Sequence, residues 1–279
     1  MWQALLCLCL LFFLQPFSLY ARPYDDVIAS GKLVVFVYDD YAPYSWYDGD
    51  ELKGIDVEIG RAFGEKLGVE IEFLVRGADE NIDDDLRVNI WKGDLIHRKA
   101  ADVMLHVPVD KEVNIRNNLA VITSPYFLEQ MAVVVDREEL PELPTFARFV
   151  YKPIAVEVDT AGDFFLSNAF GGRLHGSIRR GRTFANAVEV FESGEAQGLM
   201  GSRAQAEWVG HISKRSTALY QPPMPGIVRQ SWPIGIAIKH DSRDLGYALG
   251  DVITELITTG KLEKITESYG VSYIKPENL

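Results

Sequence analysis

Apolar residues along the chain fall into two recurring patterns. Short runs of strand character, KLVVFVY (32–38), VEIEFLV (69–75), ADVMLHVPV (101–109), QMAVVVD (130–136), IAVEV (154–158), GLMG (198–201) and WPIGIAIKHD (232–241), alternate with segments of helical spacing. The first helical segment sets Ile55, Ile59, Phe63 and Leu67 on one face and stops at Gly68. Strand 69–75 follows at once, so the opening unit reads as a parallel strand pair with a right-handed crossover. Pro141 and Pro144 punctuate the chain. A second block then begins, with helices from about Ala161 and Phe184 and strands at 154–158, near Ile178 and at 198–201. Leu245, Leu249, Val252 and Leu256 form a last long apolar face that ends at Gly260, and a further helix runs to Gly270. Two successive αβ blocks predict two lobes. If the closing segment returns to the first lobe, two crossing strands tie the halves and leave a cleft between them.

One stretch departs from the economy of loops. DDYAPYSWYDGDELKGIDVEIGRAF (39–63) sets Tyr41, Tyr44, Trp46 and Tyr47 between a strand and a helix. Such a cluster either closes a core or waits for a ligand.

Composition narrows the class. With 279 residues, 47% hydrophobic, the chain can bury one large core or two smaller ones. The net charge of -12 falls on residues 22–279, because the first 21 carry none, and no basic stripe offsets it; nucleic acid is excluded as a partner. Residues 1–21 read as an export signal cut after Ala21, with a single anchoring helix as the alternative. Cys7 and Cys9 both lie in that segment, so the exported chain would hold no disulfide and no thiolate metal site. The acidic run DENIDDD (79–85) lacks the glycine of an EF-hand loop and reads as a solvated face; no metal and no cofactor are expected.

The block GIDVEIGRAFGEKL (54–67) resembles the signature of the family 3 extracellular solute-binding proteins. YAPYS, ADVML, TSPYF, GIAIKHD and ITTGKLEKITESYG fall in the family's order. The resemblance implies an α/β fold, a two-lobed periplasmic-binding-protein type II clamshell with two hinge strands, acting without catalysis. Residues 22–130 plus 231–279 would form lobe 1 and 131–230 lobe 2. It also implies a monomer in the periplasm that passes a small-molecule ligand to an ABC permease. LHVP (105–108) and the insertion DDDLRVNIWKGD resemble the branch associated with quinoprotein (PQQ-dependent) alcohol dehydrogenases, which makes such a dehydrogenase the alternative partner.

By the same resemblance, Tyr41 would stack on the ligand and Tyr44 stand beside it. Arg116, nine residues before Pro125, would clamp a carboxylate, or lie on the surface of a polar helix. Gln197 and Ser202 stand where amino-acid binders carry the acids that hold an ammonium. The ligand is therefore expected to be a small polar or anionic molecule, not an ordinary α-amino acid. His106 is a candidate donor to it or a structural strand-end residue. Thr160 fits both a helix cap and an anion-binding turn. Glu157 or Asp163 would be the general acid if the protein were instead a dehydratase of the cyclohexadienyl type. Trp91 would cover the cleft or touch a partner.

Overall fold

The protein is described by a computed structural model over residues 22–96, 98–142, 145–227 and 229–277. The expected export signal with Cys7 and Cys9, and the punctuating Pro144, lie outside the described residues.

After helix α1 (Tyr24–Ser30), strand β1 (Lys32–Tyr38) sits between two parallel neighbours, β4 (Glu70–Arg76) and β5 (Val103–Pro108). That position explains its unbroken apolar run. Leu33, Val35 and Val37 face one core cluster while Val34, Phe36 and Tyr38 face another. The hairpin β2 (Trp46–Asp48) and β3 (Glu51–Lys53) leads into helix α2 (Ile55–Leu67), which covers the first face with Ile55, Ile59 and Phe63. The second face is closed by the acidic insertion. Asn81 caps the short helix α3 (Ile82–Leu86), a π-helical turn (Arg87–Trp91) continues it, and Leu86 and Ile90 enter the core. The insertion thus serves the first lobe's own core, and Trp91 packs there and not in the cleft.

Helix α4 (Lys111–Arg116) precedes β6 (Ala120–Asp136), a single strand of 17 residues. A separate strand at 130–136 was expected, with the TSPYF segment before it unassigned. The chain instead runs through, pairing first with β11 (Ser231–Lys239) and then with β9 (Gly198–Ser202) and β10 (Thr217–Tyr220). Pro125, which has no N–H to give, is tolerated because the β6–β11 register shifts between Ile234 and Ile236. Gly235 sits at that shift, where a Cβ would fall 2.4 Å from the Thr123 carbonyl oxygen.

The second lobe is built on β7 (Ile154–Glu157), helix α5 (Ala161–Asn168), β8 (Ile178–Gly181), helix α6 (Phe184–Glu192), β9 and helix α7 (Arg203–Ile212). Met131, Val133 and Val135 of β6 point into one core cluster there, and Ala132 and Val134 into the other. Helices α8 (Arg243–Thr258) and α9 (Lys261–Ser268) return to the first lobe's core. The strand order β4-β1-β5-β11-β6-β9-β7-β8 therefore passes from lobe to lobe through β11 and β6. Behind these strands, α7 docks on the first lobe. Trp208 meets Trp46 at 5.6 Å between ring centroids, and Glu207 accepts the Ser272 N–H at 2.8 Å.

Candidate functional site

The strand ends of the two lobes face a cavity of about 700 Å³. Tyr41 and His106 from the first lobe, Glu157, Thr160 and Thr183 from the second, and Trp232 from the hinge strand β11 are among its walls. A smaller cavity of about 130 Å³ adjoins it, sharing Tyr41, Glu157, Thr160 and Trp232 and reaching Ser202.

On the first-lobe wall a polar chain runs outward from the core. Asp56, at the start of α2, is 1% exposed and accepts the Tyr126 hydroxyl at 2.6 Å. Tyr126 in turn accepts the backbone N–H of His106 at 2.9 Å. The His106 Nδ1 lies 3.3 Å from Asp56 without forming a hydrogen bond, and its Nε2 lies 3.3 Å from the Tyr41 hydroxyl. The Tyr41 ring also meets the imidazole edge-on at 4.8 Å. Burial, reinforced by the carboxylates of Glu129, Glu157 and Asp56, pushes the Tyr41 phenol well above its ordinary value, so it stays a neutral hydroxyl.

The second-lobe wall starts at the C-terminal end of β7. Thr160 caps α5 by accepting the Asp163 N–H and donates its own hydroxyl to the Glu157 carbonyl at 2.8 Å. Thr183 caps α6 in the same way through Asn186. Burial and then the facing charge of Asp40 push the Glu157 carboxyl up to about 7, against the downward pull of the Phe184 N–H. Asp40 belongs to the first lobe, so this acid pair spans the cleft. A carboxyl whose folded value exceeds its ordinary 4.5 costs nothing below about pH 4.5 and its full amount above about pH 7. Glu157→Gln removes that cost. It is expected to raise the melting temperature by about 2–5 °C at pH 8 and leave it unchanged at pH 4.5; scanning calorimetry at the two pH values checks this.

Tyr41, His106, Thr160 and Ser202 therefore come together around the two cavities, while Tyr44 and Arg116 do not. Tyr44 is fully buried and donates its hydroxyl to Glu129, so this ring belongs to the core. Arg116 ends α4 on the surface and pairs with Asp83 at 2.7 Å. Its anion is supplied by the acidic insertion, which leaves no carboxylate clamp at that position. Among the described residues no Lys or Arg lines either cavity. Asp163 pairs with Arg180 at 2.8 Å and is already used. The walls also contain Asp39, Asp40 and Trp232, which the sequence reading did not single out, and Asp85, which was expected on a solvated face but is buried because it accepts the Tyr38 hydroxyl and the Asp79 N–H. The pair Asp39–Asp40 directly after an apolar strand and directly before Tyr41 was the available signal.

Residues 33–89 match the model of the bacterial extracellular solute-binding proteins, family 3. No curated protein matches the chain at a significant level. Among solved structures, an ancestral cationic amino acid solute-binding protein is similar over 88% of this chain and 98% of its own, with 19% identity and a TM-score of 0.69. An amino acid ABC transporter substrate-binding protein from Streptococcus pneumoniae, bound to L-arginine, is similar over 90% and 98%, at 18% identity and 0.66. The GluR0 ligand-binding core in complex with L-glutamate is similar over 86% and 98%, at 16% identity and 0.62. The fold is thus the α/β periplasmic-binding-protein type II fold, as expected from the sequence. The quinoprotein-associated branch finds no support in these matches. No helix among the described residues is long and apolar enough to cross a membrane.

Proposed function

We propose that the protein is a solute-binding protein that captures a small polar molecule between its lobes and passes it, outside the cytoplasm, to an ABC permease. The observation that carries this reading is the cavity of about 700 Å³ walled by strand-end residues of both lobes. Ligand contacts made by both walls exist only when the lobes are closed, and such differential contact is what drives closure. The match over residues 33–89 and the similar structures, described as holding L-arginine and L-glutamate, support it. The ligand is not an ordinary α-amino acid, because the walls offer an α-carboxylate no guanidinium or ammonium. The same lack leaves an anionic ligand without a Lys or Arg partner, and the polar half of that expectation is retained.

A dehydratase reading draws on Glu157, whose carboxyl near 7 suits a general acid, and on the description of the ancestral binding protein as a precursor of cyclohexadienyl dehydratase. An acid substrate would meet the same absence of cationic side chains, so the non-catalytic reading is preferred. Docking to a quinoprotein dehydrogenase draws on Leu95 and Ile96 in the insertion, 84% and 83% exposed. Co-sedimentation with a purified dehydrogenase, lost on L95S/I96S, would favour that reading.

Thermal-shift screening against amino acids, amines, sugars and organic acids tests the proposal. A ligand at about 100 times its Kd is expected to raise the melting temperature by about 5–10 °C. A broad panel without a stabilising compound overturns the solute-binding reading.

A further inference from the structure

The walls of the cleft carry a charge pattern of one sign. Asp39, Asp40 and Asp85 on the first lobe and Glu157 on the second are its ionisable acids; among the described residues His106 stands with them, and no Lys or Arg lines the cavity. Not all four are free to meet a ligand. Asp85 accepts the Tyr38 hydroxyl and the Asp79 N–H, each at 2.8 Å, and Asp39 accepts the Asp40 N–H at 2.9 Å. Asp40 and Glu157 face each other across the gap, and neither pairs with a basic side chain among the described residues.

We propose that the ligand is a small organic cation without a free carboxylate, its positive group clasped between Asp40 and Glu157 and its body resting on Tyr41 and Trp232. This inference rests on the solute-binding reading and sharpens it. The cavity between the lobes establishes room for a guest, and the acids define the guest's charge. Two carboxylates brought together by closure repel in a partly desolvated space, so the empty cleft is biased open. An ammonium, amidinium or guanidinium between them reverses the sign of that interaction and favours the closed state.

The aromatic residues fit the same guest. Trp232 packs against the core clusters of both lobes and lines both cavities, which sets an indole beside the space a cation would fill. Two second-lobe helices start at the cleft, and at the first, α5, the Thr160 hydroxyl takes the Asp163 N–H and donates to the Glu157 carbonyl. At the second, α6, the Glu157 carboxyl lies close enough to the Phe184 N–H to be drawn down by it, and Thr183 takes the Asn186 N–H. A ligand carboxylate there would face Glu157 itself.

Matched pairs that differ by one carboxylate test this on the full chain: agmatine against L-arginine, cadaverine against L-lysine and choline against glycine betaine, with succinate and L-glutamate as anions. Calorimetric titration is expected to show the carboxylate-free cation of at least one pair binding tenfold or more tightly than its partner. Asp40→Asn and Glu157→Gln should each weaken it tenfold or more. The ligand-free Glu157→Gln protein should melt no lower than the parent, so that its loss of binding is not a loss of fold. Tighter binding of the carboxylate-bearing partner or of an anion, or a cation bound equally by both variants, overturns the inference and leaves the solute-binding reading standing. If no compound of any charge binds, both fall.

Discussion

Glu129→Ala is expected to lower the melting temperature by about 6–15 °C, the largest effect of any single substitution considered. Glu129 is 1% exposed and lies on β6 where that strand crosses between lobes. Its carboxylate accepts the Tyr44 hydroxyl from the first lobe, the Gln130 N–H of its own strand, and the N–H groups of Arg203 and Ala204 at the start of α7 in the second. Burial raises its pKa in spite of those donors, which fixes the balance at the site. Alanine removes the buried acceptor and strands several buried donors at once, at a combined cost of about 3–5 kcal/mol. Tyr44→Phe removes one donor and leaves the helix start satisfied, so it should cost about 1–2 kcal/mol. Calorimetry on the two variants separates them; equal losses would mean that the carboxylate does not bridge the lobes.

Gly54→Ala is expected to cost about 3 kcal/mol or more and to abolish ligand binding. Gly54 has φ of 133°, and a Cβ built there would fall 2.1 Å from the Tyr44 carbonyl oxygen. The close approach has a purpose. Helix α2 begins here without a side-chain cap, and the carbonyls of Pro43 and Tyr44 accept the N–H groups of Ile55 and Asp56 instead. The aromatic loop and the helix start are therefore one unit, which also carries Tyr41 and Asp56. A side chain at position 54 pushes the loop off the helix and displaces both Tyr41 in the wall and the buried Asp56 behind it. Gly49→Ala is the control: its φ is 64° and nothing lies within 4 Å, so strain of about 1 kcal/mol is expected and binding should persist. Urea denaturation with a binding assay on both variants checks the contrast.

The sequence pattern was legible where burial alone sets the period. Strand β1, buried on both faces, and helix α2, with one apolar face, were readable for that reason. The continuity of β6 was not, because Pro125 argues locally against a strand and only the shifted register opposite Gly235 admits it. Tyr41 and Tyr44 are three residues apart in one loop, yet one lines the cleft and the other is core, since Glu129, 85 residues away, supplies the partner that draws Tyr44 in. Arg116 was misdirected by spacing to a proline; its partner Asp83 comes from an insertion that no spacing rule includes. The facing of Asp40 and Glu157 is a property of two lobes brought together, which no local window contains.

Small-angle X-ray scattering on the chain, with and without the compound that stabilises it most, tests most directly whether two lobes close on a guest. The account predicts a smaller radius of gyration on saturation, and no contraction for Asp40→Asn at the same ligand concentration. Saturated binding that leaves the radius of gyration unchanged would contradict it.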